Sequence, residues 1–226
     1  MAKNSALVQW KNSLKVEQIA EGMNAAASNA TRLLEDAETL FNLGRYPTAI
    51  SLAILAIEEA GKTSILRELA IARDGKDVKA AWKAYRSHTK KNALWLFPSM
   101  VLSGNRKLED FRALFEEGSD HTTLLDELKQ IGIYSDCLGK AKAHWSHPSK
   151  VIDEETADGI IKVARVLCTN KVYTKREVEL WVKHMRPVWK APLPEMKKAL
   201  HAWFDDMVSE GLAEQGSVPF VDFIGD

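Results

Sequence analysis

The chain has 226 residues, 46% of them hydrophobic, enough apolar material to close a core in one large domain or two small ones. Lysine plus arginine and aspartate plus glutamate each total 31, which excludes a globally basic nucleic-acid coat and leaves any polyanion-binding surface to local charge. Two isolated cysteines, no apolar leader segment in MAKNSALVQWKNSL and no run of about 18 uncharged apolar residues imply a protein of the cytoplasm that makes no membrane contact.

From Ile19 to Leu43 the residues Ala26, Ala30, Leu33, Leu34, Ala37, Leu40 and Phe41 keep helical spacing, and Gly44 is placed to stop the helix in a left-handed conformation. Arg45-Tyr46-Pro47 then puts proline in the first turn of a second helix that reaches about Ala72. Two long arms and a short connection predict an antiparallel helical hairpin.

The second helix holds the most informative stretch, Thr48 to Lys62 (TAISLAILAIEEAGK): apolar on nearly every face, it suddenly carries two carboxylates and a lysine. Glu58 and Lys62 are four apart and Glu59 and Lys62 three apart, so the lysine can meet either acid, and Gly61 leaves room for a second backbone or a ligand. Charges are almost never fully buried unpaired, so the set is either an ion cluster that pins helices in register or the floor of a polar pocket.

After Asp74-Gly75-Lys76-Asp77 a third helix is expected from about Val78 to Leu96, ended by Phe97-Pro98. Along it Trp82, Tyr85, His88 and Lys91 step by three, so the apolar stripe runs on into an imidazole and an ammonium, and His88 should point at least partly inward. A histidine, with an unperturbed pKa of about 6.5, can take up and return a proton near neutrality, and a neighbouring lysine can stabilise charge on a phosphorane. Arg86 and Lys90 on the same turn suit a phosphodiester; the competing reading is a core histidine satisfied by a hydrogen bond.

Further helices are predicted at Lys107 to Phe115, Thr122 to Gln130, Glu154 to Leu167 behind Asp153 as N-cap, Lys175 to Met185 behind a Thr174/Glu177 capping box, and Pro194 to Ser209, before Gly211 and a polar tail. Gly132 to Lys150 keeps no period and reads as a long ordered loop with a short hairpin. The fold class is all-α, with a helical domain over residues 1–170 and a helical extension over 171–226 packed on it.

Between Lys162 and Lys198 ten basic residues face only Glu177, Glu179 and Glu195, with Trp181 and Trp189 interleaved, whereas from Asp205 onward every charge is acidic. Such a segment either tracks a phosphate backbone or, by ordinary base rates, is a solvated face over core tryptophans. His144, His147, Cys137 and Cys168 lack the paired close spacing of structural zinc sites, and no metal or cofactor is expected.

Arg45-Tyr46-Pro47 through Ile57-Glu58-Glu59-Ala60-Gly61-Lys62, then Ser87-His88-Thr89-Lys90-Lys91, then the run from Leu128 to Asp136 (LKQIGIYSD), resemble the AbiV family of abortive-infection proteins, a branch of the HEPN superfamily, over roughly Ile19 to Lys150. The resemblance implies a HEPN-like bundle on a long antiparallel helix pair, usually a homodimer, in a bacterial antiphage system that stops translation. It also implies, for many HEPN relatives, metal-independent endoribonuclease activity at a composite site between subunits. Their usual arginine, four to six residues, histidine motif is absent; the nearest substitute is Lys83, four residues, His88. By position the family's acidic-lysine piece falls on Glu58, Glu59 and Lys62, and its histidine-lysine piece on His88 and Lys91.

Three functions follow. In the first, an RNA-cleaving toxin is triggered by a phage protein, with His88, Lys91, Glu59 and Lys62 catalytic and Glu58, Lys83, Arg86 and Lys90 holding tRNA, rRNA or mRNA. In the second, a non-enzymatic protein binds a phage protein and sequesters a translation component. In the third, the charged set is a buried ionic lock between the second and third helices.

Overall fold

The computed structural model describes residues 8–115, 120–214 and 224. The end of the polar tail and the first seven residues of MAKNSALVQWKNSL lie outside the described residues. Two long helices, α1 (Val16–Asn42) and α2 (Tyr46–Ile71), form the antiparallel hairpin. Gly44, at φ 69°, ends α1: its N–H donates to the Phe41 carbonyl and that of Arg45 to the Leu40 carbonyl, both at 2.9 Å, closing a Schellman turn. Pro47 starts α2, where its missing N–H costs nothing.

Around the hairpin, in chain order, lie α3 (Gly75–Arg86), α4 (His88–Lys91), α5 (Phe97–Leu102), α6 (His121–Ile133), α7 (Pro148–Val151), α8 (Glu154–Leu167), α9 (Lys175–Val188) and α10 (Leu193–Ser209). The only described strands, β1 (Cys137–Leu138) and β2 (His144–Trp145), pair as the short antiparallel hairpin expected before Lys150. The fold is all-α.

The α2 helix is the axis of the molecule, which is why its sequence is apolar almost all round. Its N-terminal half packs Ile50, Ala53, Ile54 and Ile57 with Leu33, Leu34 and Ala37 of α1, Leu125 of α6, and Ala157, Ile161 and Ala164 of α8. Its C-terminal half joins a second cluster, where Leu66 and Leu69 meet Ile19 and Met23 of α1, Trp82 of α3 and Val178 of α9. Alanines on both arms of the hairpin let the two axes approach closely.

The expected third helix is not one helix. It breaks at Ser87, whose extended backbone (φ −86°, ψ 124°) ends α3 while its hydroxyl accepts from the Lys90 N–H to cap α4. Phe97-Pro98 likewise opens α5 instead of stopping a helix, with the proline again in a first turn. The caps at Asp153 and Thr174/Glu177 form as expected, and the segment near Lys107 is a 3-10 helix, Leu108–Phe115.

Candidate functional site

Ser51, Glu58 and Gly61 lie on one stripe of α2, and each governs what comes against it. At one end the backbone of α6 is held close: Ser51 Oγ donates to the Lys129 carbonyl at 3.1 Å, and a Cβ on Gly132 would fall 2.3 Å from that same hydroxyl. At the other end α4 is held closer still, since a Cβ on Gly61 would stand 1.7 Å from the Lys91 carbonyl oxygen. Two glycines therefore let two short elements press on α2 on either side of Glu58.

What they deliver is a converging set of cations. The Glu58 side chain is 2% exposed; Oε1 accepts from Lys129 Nζ at 2.6 Å, and Oε2 lies 2.6 Å from His88 Nδ1 and 3.1 Å from Lys91 Nζ. Lys129 is held in turn by Asp126 at 2.6 Å, one helical turn earlier on α6. Burial alone would push Glu58 up, but the hydrogen bonds from Lys129 and His88 and the charge of Lys91 outweigh it and hold the carboxyl below its ordinary value. Burial would likewise lower Lys129; its bonds to Asp126 and Glu58 prevail and hold it above its ordinary value.

An ionised carboxylate can only accept, so in this pair His88 donates from Nδ1, and Nε2 is the nitrogen left to exchange a proton. The His88 side chain is 53% exposed. A buried anion thus grips one side of an imidazole whose remainder faces solvent, the arrangement that orients a general base.

Glu58, His88 and Asp126 also bring their ligand atoms within 4.8 Å of one another, a set able to hold a cation. Lys129 Nζ lies 2.6 Å from both carboxylates and 3.2 Å from His88 Nδ1, so an ammonium already fills that position. Cys137 and His144 sit on facing strands of the hairpin, and burial pushes the Cys168 thiol up to about 12, far from a reactive thiolate.

Among the residues singled out from sequence, Glu58, His88 and Lys91 meet directly. Glu58 is buried under His88, however, so the acid in contact with the imidazole is Glu58 and not Glu59. Glu59 holds Lys62 at 2.5 Å, and Lys62 lies 5.1 Å from the centre of the Tyr85 ring. Lys62, Arg86 and Lys91 share an open groove of about 460 Å³ with Trp82 and Tyr85. Lys83 and Lys90 are exposed and belong neither to this groove lining nor to the Glu58 ion pairs. The ionic lock is real but centred on Glu58 and Lys129, with Lys62 in a separate pair.

Sequence reading missed Lys129. Its signal was present, since Leu125, Lys129 and Gly132 step along the buried face of α6, placing a lysine where hydrocarbon is expected.

The C-terminal basic segment resolves the other way. Lys175 pairs with Glu17, Arg176 with Glu210, Lys183 with Asp206, Lys190 with Asp77 and Lys197 with Glu109. Trp181 packs on Arg67 and stands edge-on to Trp203 with ring centres 5.3 Å apart, so it is a packing residue.

The family model of AbiV, a HEPN family, matches residues 18–169. No curated protein and no solved structure matches the chain.

Proposed function

We propose, on the premise that this chain belongs to the AbiV family of the HEPN superfamily, that it is an abortive-infection effector that stops translation by cutting RNA once a phage product activates it. Membership places it among abortive-infection and defence proteins, and HEPN proteins often dimerise and act on RNA. None of its described helices is long and apolar enough to cross a membrane.

The observation that carries the enzymatic reading is the Glu58–His88 pair, a buried carboxylate 2.6 Å from Nδ1 of a half-exposed imidazole. His88 Nε2 removes the proton of a ribose 2′-hydroxyl, and the resulting oxyanion attacks the adjacent phosphorus. The bond to the 5′-oxygen breaks, leaving a 2′,3′-cyclic phosphate. In a homodimer the second copy's His88 protonates that departing oxygen. Lys91, with Lys62 beyond it, stabilises the extra charge on the phosphorane. Glu58 keeps the imidazole in one tautomer and steadies the imidazolium as it forms, while Lys129 keeps Glu58 ionised.

Titrating an in-vitro translation reaction, with infected-cell extract supplying the activator, tests this reading. A nuclease abolishes translation at a small fraction of the ribosome concentration, with loss increasing over time. Inhibition that stops at one protein per target supports the second reading, a sequestering protein. That reading is favoured by one feature: Lys83, the only stand-in for the superfamily's arginine, stays outside the cluster, and lysine lacks the bidentate fork that grips phosphate.

A further inference from the structure

The groove beside the Glu58 cluster is bordered on one side by a segment outside the matched family region, which contributes Gln9 and Trp10. The chain before α1 crosses α3, where Trp82 Nε1, on a side chain largely buried under it, donates to the Asn12 carbonyl at 2.9 Å. Trp10 Nε1 donates to the Ser13 carbonyl at 3.3 Å, which folds the indole back over the groove, and Trp10 remains 55% exposed. A large indole kept half in water at the mouth of a cleft, with its segment anchored by another tryptophan, is an open stacking surface.

Charge in the groove has one sign. Its ionisable lining residues are Lys62, Arg86, Lys91 and the tyrosine Tyr85, with no carboxylate among them. Lys62 is balanced by Glu59 and Lys91 by Glu58 from behind, whereas Arg86 has no ion-pair partner among the described residues. One uncompensated guanidinium suits one phosphodiester, and about 460 Å³ is the size of a small-ligand pocket that accepts a single nucleotide and not a duplex.

We infer that this groove seats one nucleotide of single-stranded RNA, its base stacked on Trp10 and its phosphate on Arg86 and Lys91. The inference rests on the ribonuclease reading for the direction of the strand, because Lys91 borders both the groove and the Glu58–His88 pair. The seated nucleotide is then the neighbour of the one whose 2′-hydroxyl reaches His88. Sequence tolerance follows, since stacking and a phosphate contact do not read base edges.

The test uses full-length His88→Ala protein, which binds without turnover, and a fluorescein-labelled single-stranded RNA hexamer followed by anisotropy. The hexamer binds; adding Trp10→Ala or Arg86→Ala weakens it roughly tenfold or more, and Lys183→Ala on the opposite charge cluster leaves it unchanged. AMP competes and adenosine does so far less. The inference is overturned if the Trp10→Ala or Arg86→Ala variant, shown folded by its melting curve, binds as tightly as the parent. It is equally overturned if AMP binds while the hexamer does not, which would make the groove a free-nucleotide site. Binding with this pattern by a wild-type protein that never cuts RNA sinks the ribonuclease reading and leaves the seat standing.

Discussion

Among the described residues, His88–Glu58 and His184–Asp206 stand at almost the same distance, 2.6 Å and 2.7 Å, and are inverted in burial. At the first the acid is buried, at 2% exposure, and the imidazole is 53% exposed; at the second the imidazole is 14% exposed and the acid 33%. A histidine tucked in with its acid toward water is a structural tie, shared there with Lys183. A histidine held out by a buried acid is poised to meet something. The two regions also teach that cation density is a poor guide: most cations of the richly basic C-terminal segment are paired with carboxylates, while three short-range contacts on one buried carboxylate make the site.

The contrast is broken most severely by removing its anion. Glu58→Gln strands the buried ammonium of Lys91, leaves Lys129 with Asp126 alone, and is expected to cost about 3–5 kcal/mol of stability in a denaturant titration. Asp206→Asn, which removes a partly exposed carboxylate from an exposed Lys183 and a tucked-in His184, should lower stability far less. Equal effects would mean that burial does not distinguish the two pairs.

Next in size is the catalytic contrast. His88→Ala is expected to slow RNA cleavage by about 10² to 10⁴ with little change in the melting curve, and His184→Ala to leave the rate alone. A smaller structural effect is expected at the glycine under α4. Gly61→Ala must push the Lys91 carbonyl away and should cost about 1–3 kcal/mol or more together with activity. Gly22→Ala in the same hairpin meets only a flexible Leu66 methyl at 3.3 Å and serves as the control.

The smallest effect is in the pH dependence of stability. Glu58 is held below its unfolded value of about 4.3, so its contribution is complete above that pH and is lost as pH falls through the folded value. Lys129 is held above its unfolded value of about 10.4, so its contribution is complete below that pH and is lost as pH rises through the folded value. Chemical denaturation from pH 2 to 11 should therefore show a plateau whose acid shoulder is reduced in Glu58→Gln, the remainder belonging to other carboxylates held below their ordinary values, Asp77 and Asp206 among them.

The long hairpin was legible because its signals are local: Gly44 and Pro47 act within a turn of themselves, as do the caps at Asp153 and Thr174. Gly61 was legible as a place of close approach, although not what approaches. Ser87 was not, because a serine is tolerated inside a helix and becomes a break only when α4 is drawn onto α2. Lys129 escaped for a related reason. Its partner Glu58 lies 71 positions away, and no periodicity links two helices that far apart in the chain. Which of Glu58 and Glu59 touches His88 was not legible, because the two differ by about a hundred degrees of helical rotation, which sequence spacing to Lys62 cannot settle.

The central claim is that a buried Glu58 arms an exposed His88 for proton transfer. Its most direct test is the time course of RNA cleavage by activated wild-type protein at one tenth the RNA concentration, beside His88→Ala and Glu58→Gln. The account predicts more than one cut per protein for the wild type, a rate lower by at least about 10² for His88→Ala, and a loss for Glu58→Gln that persists in whatever fraction remains folded. Cleavage by His88→Ala at the wild-type rate would contradict it.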